Sequence, residues 1–231
     1  MPSMRGKPKG LPDAAYALFT GRSERSEPKT TQGRTNEILE RAQAEGLSRG
    51  EAKSRLAAFI GVSVRTIERY ASGRQEAKDT RSRQSATGLH QALRDSRMGP
   101  SRRQQVRAAA TGEPQDPVSP VSDLGISQSA DGHGDFSQEA RNTAGAARAD
   151  LDNGLTITGK VTVSSDTKER TLTLGKWVPD GELDHLADVF VQHGPGAVAA
   201  EINRLISTYY VQGMTIDNIT SIYFNTINEE G

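Results

Sequence analysis

Two sets of side chains in this sequence are placed to do chemistry. The first is a run of hydroxyls, Ser164-Ser165-Asp166-Thr167. By residue type alone it is a polar turn between two alternating stretches. A hydroxyl at an exposed loop tip can also enter the active site of another protein. Asp166 adds an acidic group that would either help place a metal ion or only solvate the turn. The second set is the guanidiniums of Arg65 and Arg69, four residues apart and therefore on one face of a helix. Guanidiniums so placed can fork onto guanine edges or hold phosphates.

Other chemistries find little support. The chain has no Cys, which removes disulfides, thiolate nucleophiles and Cys-based zinc sites. His90, His133, His185 and His193 show no metal-ligand spacing. There is no GxxxxGK[ST], GxSxG or HExxH. Asp180, Glu182, Asp184 and Asp188 cluster at the start of a predicted helix, where carboxylates favour the helix dipole. No second acidic cluster pairs with them to make a metal or acid–base site. The reading is therefore of no catalytic residue, no metal and no cofactor.

The guanidiniums belong to Lys53–Ser72, KSRLAAFIGVSVRTIERYAS, which reads as a helix-turn-helix. Gly61 falls at the turn, where a positive φ is needed. Ser63 is placed to cap the second helix. Leu56, Ala57, Ile60, Val62, Ile67 and Tyr70 form the apolar set at helical pitch. Ser63, Val64, Arg65, Glu68, Arg69 and Ser72 are left on the outer face. Such a helix enters the major groove with its N-terminal side chains on base edges. The predicted DNA contacts are Ser63, Val64, Arg65, Thr66, Arg69 and Arg74. The alternative is an αα-hairpin with no DNA role.

Charge divides the chain in the same sense. Residues 1–112 hold 22 Lys and Arg against 11 Asp and Glu, a net +11; residues 113–231 hold 7 against 18, a net −11. Only the first half has the field of a nucleic-acid binder, and the acidic half is better suited to protein contact. With 34% hydrophobic residues and a mean hydropathy of −0.63, part of the chain is expected to lack a packed core. No apolar run reaches the length of a membrane span, and the basic start MPSMRGKPKG lacks an apolar signal segment. These features predict a cytoplasmic, nucleoid-associated protein.

Four segments follow. Residues 1–73 are expected to be a helical DNA-binding domain. It has a mobile basic tail over residues 1–10, short helices at Pro12–Thr20 and Thr35–Glu45, and the motif at 53–72, opened by the capping-box pattern Ser48-Arg49-Gly50-Glu51. Residues 74–111 carry nine cations against Glu76, Asp79 and Asp95. They read as a basic arm along phosphates, or else as a solvated helix or linker. Residues 112–150, rich in Ser, Gly, Asp, Ala and Pro, read as a disordered linker.

Residues 151–231 read as a small β-β-α-α-β domain. Leu155–Val163 alternates, Ser164–Lys168 is a polar turn, and Arg170–Leu174 alternates again. Helices are expected over Asp180–Gln192 and Ala197–Val211, and a central strand over Asn218–Thr226. The fold class is α+β.

Three stretches taken together carry a resemblance: LAAFIGVSVRTIERYASGR, then KERTLTL after a Ser/Thr-containing loop, then ISTYYVQGMTIDNITSIYFN. This order resembles the terminal proteins of actinobacterial linear chromosomes and plasmids over about residues 12–73 and 155–227. The resemblance implies a protein joined covalently, through a Ser or Thr hydroxyl, to the 5′ end of telomeric DNA. There it primes the filling of recessed ends. A DNA polymerase supplied in trans, with its metal ions, catalyses the attack. A telomere-associated recruiting protein is the further partner implied. Read back ungapped from Thr171-Leu172-Thr173, the family's linkage position falls on Ser164, with Ser165 and Thr167 close by. On this view the protein is a substrate rather than a catalyst. The alternative function is a helix-turn-helix transcriptional or plasmid-replication regulator whose C-terminal domain forms a homodimer.

Overall fold

The computed structural model describes residues 4–111, 154–175, 178–179 and 181–225. The chain is α+β and divides into two compact units. One holds residues 4–24 and 101–111 with the described residues from 154 onward; the other holds residues 25–100. The segment expected as a disordered linker, 112–150, lies outside the described residues.

The first unit is built on a sheet of four antiparallel strands: β1 (Met4–Lys9), β4 (Gly154–Val163), β5 (Asp166–Thr173) and β6 (Thr215–Asn225), in the order β1-β6-β4-β5. Strand alternation sorts β4 into two faces. Leu155, Ile157 and Val161 are buried with Leu172 of β5 and with Ile216, Ile222 and Phe224 of β6. The hydroxyls of the other face meet across the β4–β5 pair, Thr156 with Thr173, Thr158 with Thr171 and Thr162 with Thr167, at 3.2, 2.9 and 3.0 Å. Each such cross-strand pair contributes about 0.2–1 kcal/mol and helps hold the register.

Three helices complete this core: α1 (Leu11–Thr20), α6 (Glu182–His193) and α7 (Pro195–Tyr209). The aromatic face of α1 is the link. Phe19 stacks on Phe190 of α6 at 4.8 Å and meets Phe224 of β6 edge-on at 5.8 Å, while Tyr16 meets Phe190 edge-on at 5.5 Å. Glu182, one of the clustered acids, is buried and accepts hydrogen bonds from Arg204 and Tyr209 at 2.6 and 3.2 Å. Gly154 opens β4 at φ 141°, and a Cβ there would lie 2.3 Å from the Gly175 Cα. Gly154→Ala should therefore lower the thermal midpoint of this unit, by a destabilisation of about 1–3 kcal/mol.

The second unit is helical: α2 (Thr31–Ala44), α3 (Arg49–Ile60), α4 (Val64–Ala71) and the part of α5 (Ser85–Thr111) up to Pro100, with a short hairpin of β2 (Asp79–Thr80) and β3 (Arg83–Gln84) before α5. The helical geometry of α5 is interrupted at Gly99, φ 65°, just before Pro100. Ile38 and Leu39 of α2, Leu56 and Ile60 of α3, Ile67 and Tyr70 of α4, and Leu89 and Leu93 of α5 share one buried cluster.

Four expectations about this architecture are corrected. The basic tail is in part a strand: β1 pairs with β6, Met4 opposite Ile222. Backbone pairing to an open edge recruits it, which no side-chain pattern announces. The helix at Leu11–Thr20 is not part of the helical domain, because its apolar partners are Phe190 and Phe224. The helical unit does not close near Gly73: within the segment expected as a basic arm, or else a solvated helix or linker, residues 85–100 form a helix packed into its core. Leu89, Ala92 and Leu93, at i, i+3 and i+4, take α5 into the core, and Arg97 is buried. Finally, the turn expected over Ser164–Lys168 is only two residues long, since β5 resumes at Asp166 opposite Val163.

Candidate nucleic-acid interface

Local signals fix α3 and α4. Ser48 caps α3 in a reciprocal box: its Oγ accepts from the Glu51 N–H at 3.3 Å, and the Glu51 carboxylate accepts from the Ser48 N–H at 3.0 Å. The helix ends at Gly61, φ 73°, where the Val62 N–H reaches back to the Ala57 carbonyl at 2.9 Å. A non-glycine residue would be strained at that angle. Ser63 then caps α4, its Oγ accepting from the Thr66 N–H at 3.2 Å and lying 2.9 Å from the Thr66 hydroxyl. A cap of this kind is worth about 1 kcal/mol.

Ile67 and Tyr70 bury one side of α4, at 0% and 2% exposure. The opposite side carries Val64, Arg65, Glu68 and Arg69, all exposed. Glu68 is drawn to Lys53 of α3, Nζ to Oε1 3.0 Å. The acid on this face thus already has a cation beside it. Beyond the helix end the chain turns back, with the Arg74 N–H donating to the Arg69 carbonyl at 2.9 Å, and Arg74 is exposed.

The six predicted DNA contacts therefore fall into two groups. Val64, Arg65, Arg69 and Arg74 are open to solvent. Ser63 and Thr66 are occupied with each other in the cap, so their first role is to set where α4 begins.

The hydroxyl candidates separate too. Ser164 and Ser165 form the whole of the two-residue connection between β4 and β5, both exposed. Thr167 is in β5, its Oγ1 paired with Thr162. Ser164 has φ 54°; among the described non-glycine residues only Asn218 shares that left-handed region. Asp166 is paired with Lys168, Oδ2 to Nζ 2.8 Å, both side chains well exposed. No residue pattern announces the positive φ, because Ser-Ser is not a typical pair for so tight a turn. Among the described residues no three His, Asp or Glu side chains gather as a metal site, and no helix is long and apolar enough to cross a membrane. No family model, curated protein or solved structure matches the chain.

Proposed function

We propose that this chain is a DNA-binding terminal protein: α3 and α4 act as a helix-turn-helix on duplex DNA, and a Ser164 hydroxyl accepts the first nucleotide of the 5′ end. The DNA-binding half rests on α4, whose apolar side is fully buried while Arg65 and Arg69 stand exposed on the other. The priming half rests on Ser164. Two-residue hairpin loops that need φ > 0 favour Gly, Asn or Asp. A Ser-Ser loop departs from that chemistry, and such departures concentrate where function outweighs local preference.

In the priming step the Ser164 Oγ attacks the α-phosphorus of a deoxynucleoside triphosphate. An Oγ–P bond forms, the bond from the α-phosphorus to the bridging oxygen breaks, and pyrophosphate leaves. The hydroxyl proton passes to a base of the polymerase. The polymerase and its metal ions stabilise the charge. This chain supplies only the nucleophile, on a loop tip with room to be engulfed.

The observation favouring the second reading, a dimeric regulator, is the exposed pair Tyr210–Val211 at the end of α7, at 43% and 40% exposure. Treatment of the protein–DNA complex with detergent and heat separates the two: a covalent terminal protein stays on the end fragment, and a regulator is released.

The DNA-binding half has its own test. Arg65→Ala and Arg69→Ala should each weaken duplex binding, by about 1–3 kcal/mol if the guanidinium forks onto a base. Titration by fluorescence anisotropy measures this. Equal affinity of both variants and the unaltered chain would take α4 out of the interface.

A further inference from the structure

The hairpin Asp79–Gln84 carries cations that the helix-turn-helix reading does not use. Arg81, with Ser82, forms its turn, Arg83 opens β3, and Lys78 precedes β2; all are exposed. The acids near them, Glu76 and Asp79, bond to neutral donors and keep their charge, and the three cations outnumber them. Asp79 accepts from the N–H groups of Ala86 and Thr87 at 2.8 and 3.1 Å and from the Thr87 hydroxyl at 2.6 Å, so it caps the start of α5. Those bonds, the Thr87 hydroxyl first, hold its carboxyl below the ordinary aspartate value. Glu76 accepts from the Thr31 hydroxyl, which in turn accepts from the Ala77 N–H at 3.1 Å.

The same bonds that engage the acids fix the hairpin. Asp79 ties it to α5, Thr31 ties its approach to α2, and the Thr80 hydroxyl closes it on the Arg83 carbonyl at 3.3 Å. The cations therefore project from a preorganised element rather than a loose tail. An open cleft of about 680 Å³ joins the hairpin to the end of α4, with Tyr70, Glu76, Lys78, Thr80, Ser82 and Arg83 on its wall. Its hydroxyls and cations are donors suited to phosphate oxygens.

We infer that this hairpin is a second DNA-contacting element, which grips the phosphate backbone past the C-terminal end of α4 through Arg81, Arg83 and Lys78. It rests on the DNA-binding reading of α4 and deepens it: α4 meets base edges, and the hairpin supplies sequence-independent affinity. Contacts of this kind position the protein and are released by salt.

The test uses the full chain and a mixed-sequence duplex of about two helical turns, titrated over a series of salt concentrations. Arg81→Gln/Arg83→Gln should flatten the slope of log affinity against log salt by about 2, one unit for each phosphate no longer neutralised. Arg81→Lys/Arg83→Lys should restore it, because a phosphate accepts a point charge. Arg65→Gln/Arg69→Gln serves as the parallel variant on α4. If that variant loses affinity while the hairpin Gln variant keeps the original slope, the hairpin inference is overturned and the α4 reading survives. If the unaltered chain does not bind duplex, the α4 reading itself fails. Loss of slope in both the Gln and the Lys variants would assign the hairpin a shape role and also overturn phosphate contact. Circular dichroism melts confirm folding, and Arg81→Gln alone, at the turn, gives half the change should the double variant be unstable.

Discussion

Glu37→Ala should destabilise the helical unit by about 3–5 kcal/mol, the cost of breaking a buried ion pair from one side. The Arg97 side chain is 1% exposed, and its Nε and Nη2 donate to the two Glu37 oxygens at 2.9 and 2.8 Å. It also donates to the Ser26 hydroxyl and carbonyl at 3.0 and 2.9 Å. Removing Glu37 leaves those two bonds but takes away the carboxylate that faces two of the guanidinium nitrogens. Arg97→Met should cost less, about 1–3 kcal/mol, because Glu37 is 19% exposed and keeps Arg41 at 3.0 Å. Urea titrations of the two variants check the order.

The pair also gives a pH signature. Burial pushes the Glu37 carboxyl up, but hydrogen bonds and charge from Arg97 and Arg41 outweigh it and hold the pKa below its ordinary value. A carboxyl lowered in the folded state contributes stability that is complete above its unfolded value and is lost as pH falls through the folded one. The gap between the unaltered chain and Arg97→Met should therefore hold steady above about pH 5 and narrow as pH falls from there through the ordinary glutamate value of about 4.3 and below. A constant gap across that range would mean that the ion pair contributes packing alone.

This pair shows where sequence reading reached its limit. Nine cations in residues 74–111 suggested an arm along phosphates, yet Arg97 serves a buried ion pair 60 residues from its partner in sequence. The spacing of Leu89, Ala92 and Leu93 gives α5 its buried face despite that charge. By contrast, α3 and α4 were legible almost to the residue, because their limits are set locally: a Ser48–Glu51 box, a left-handed Gly61, a Ser63 cap. Strand β1 was illegible for the opposite reason, since its pairing to β6 uses backbone groups that every residue carries. The place of α1 depended on Phe190 and Phe224, far along the chain. The alternation of β4 was legible over Leu155–Val163. The early start of β5 was not, because a strand exposed along Asp166–Thr171 has no buried face to give it a period.

Ser164→Ala and Ser164→Gly should both abolish attachment of nucleotide while leaving DNA binding intact. The pair is chosen for its opposite demands on the backbone. At φ 54° alanine bears the usual cost of a Cβ in the left-handed region, whereas glycine relieves it. An exposed loop substitution shifts stability by only about 0.5 kcal/mol, and the Gly variant should fold at least as well as the unaltered chain. Loss of labelling in both variants then reflects the missing hydroxyl and not a distorted loop. The assay is transfer of labelled deoxynucleotide in an extract that holds the partner polymerase, followed by peptide mapping. Labelling that persists in both single variants would move the site to a neighbour, and Ser165 comes before Thr167, whose hydroxyl is already paired with Thr162 at 3.0 Å. Asp166 gives a further distinction. Its ion pair with Lys168 is exposed on both sides and worth at most about 1 kcal/mol. Asp166→Asn should leave folding unchanged. A large fall in labelling in that variant would give Asp166 a part in the polymerase site, and unchanged labelling would leave it a solvated turn residue. Full labelling after Ser164, Ser165 and Thr167 are all replaced by Ala would remove this loop, and with it the priming half of the proposed function.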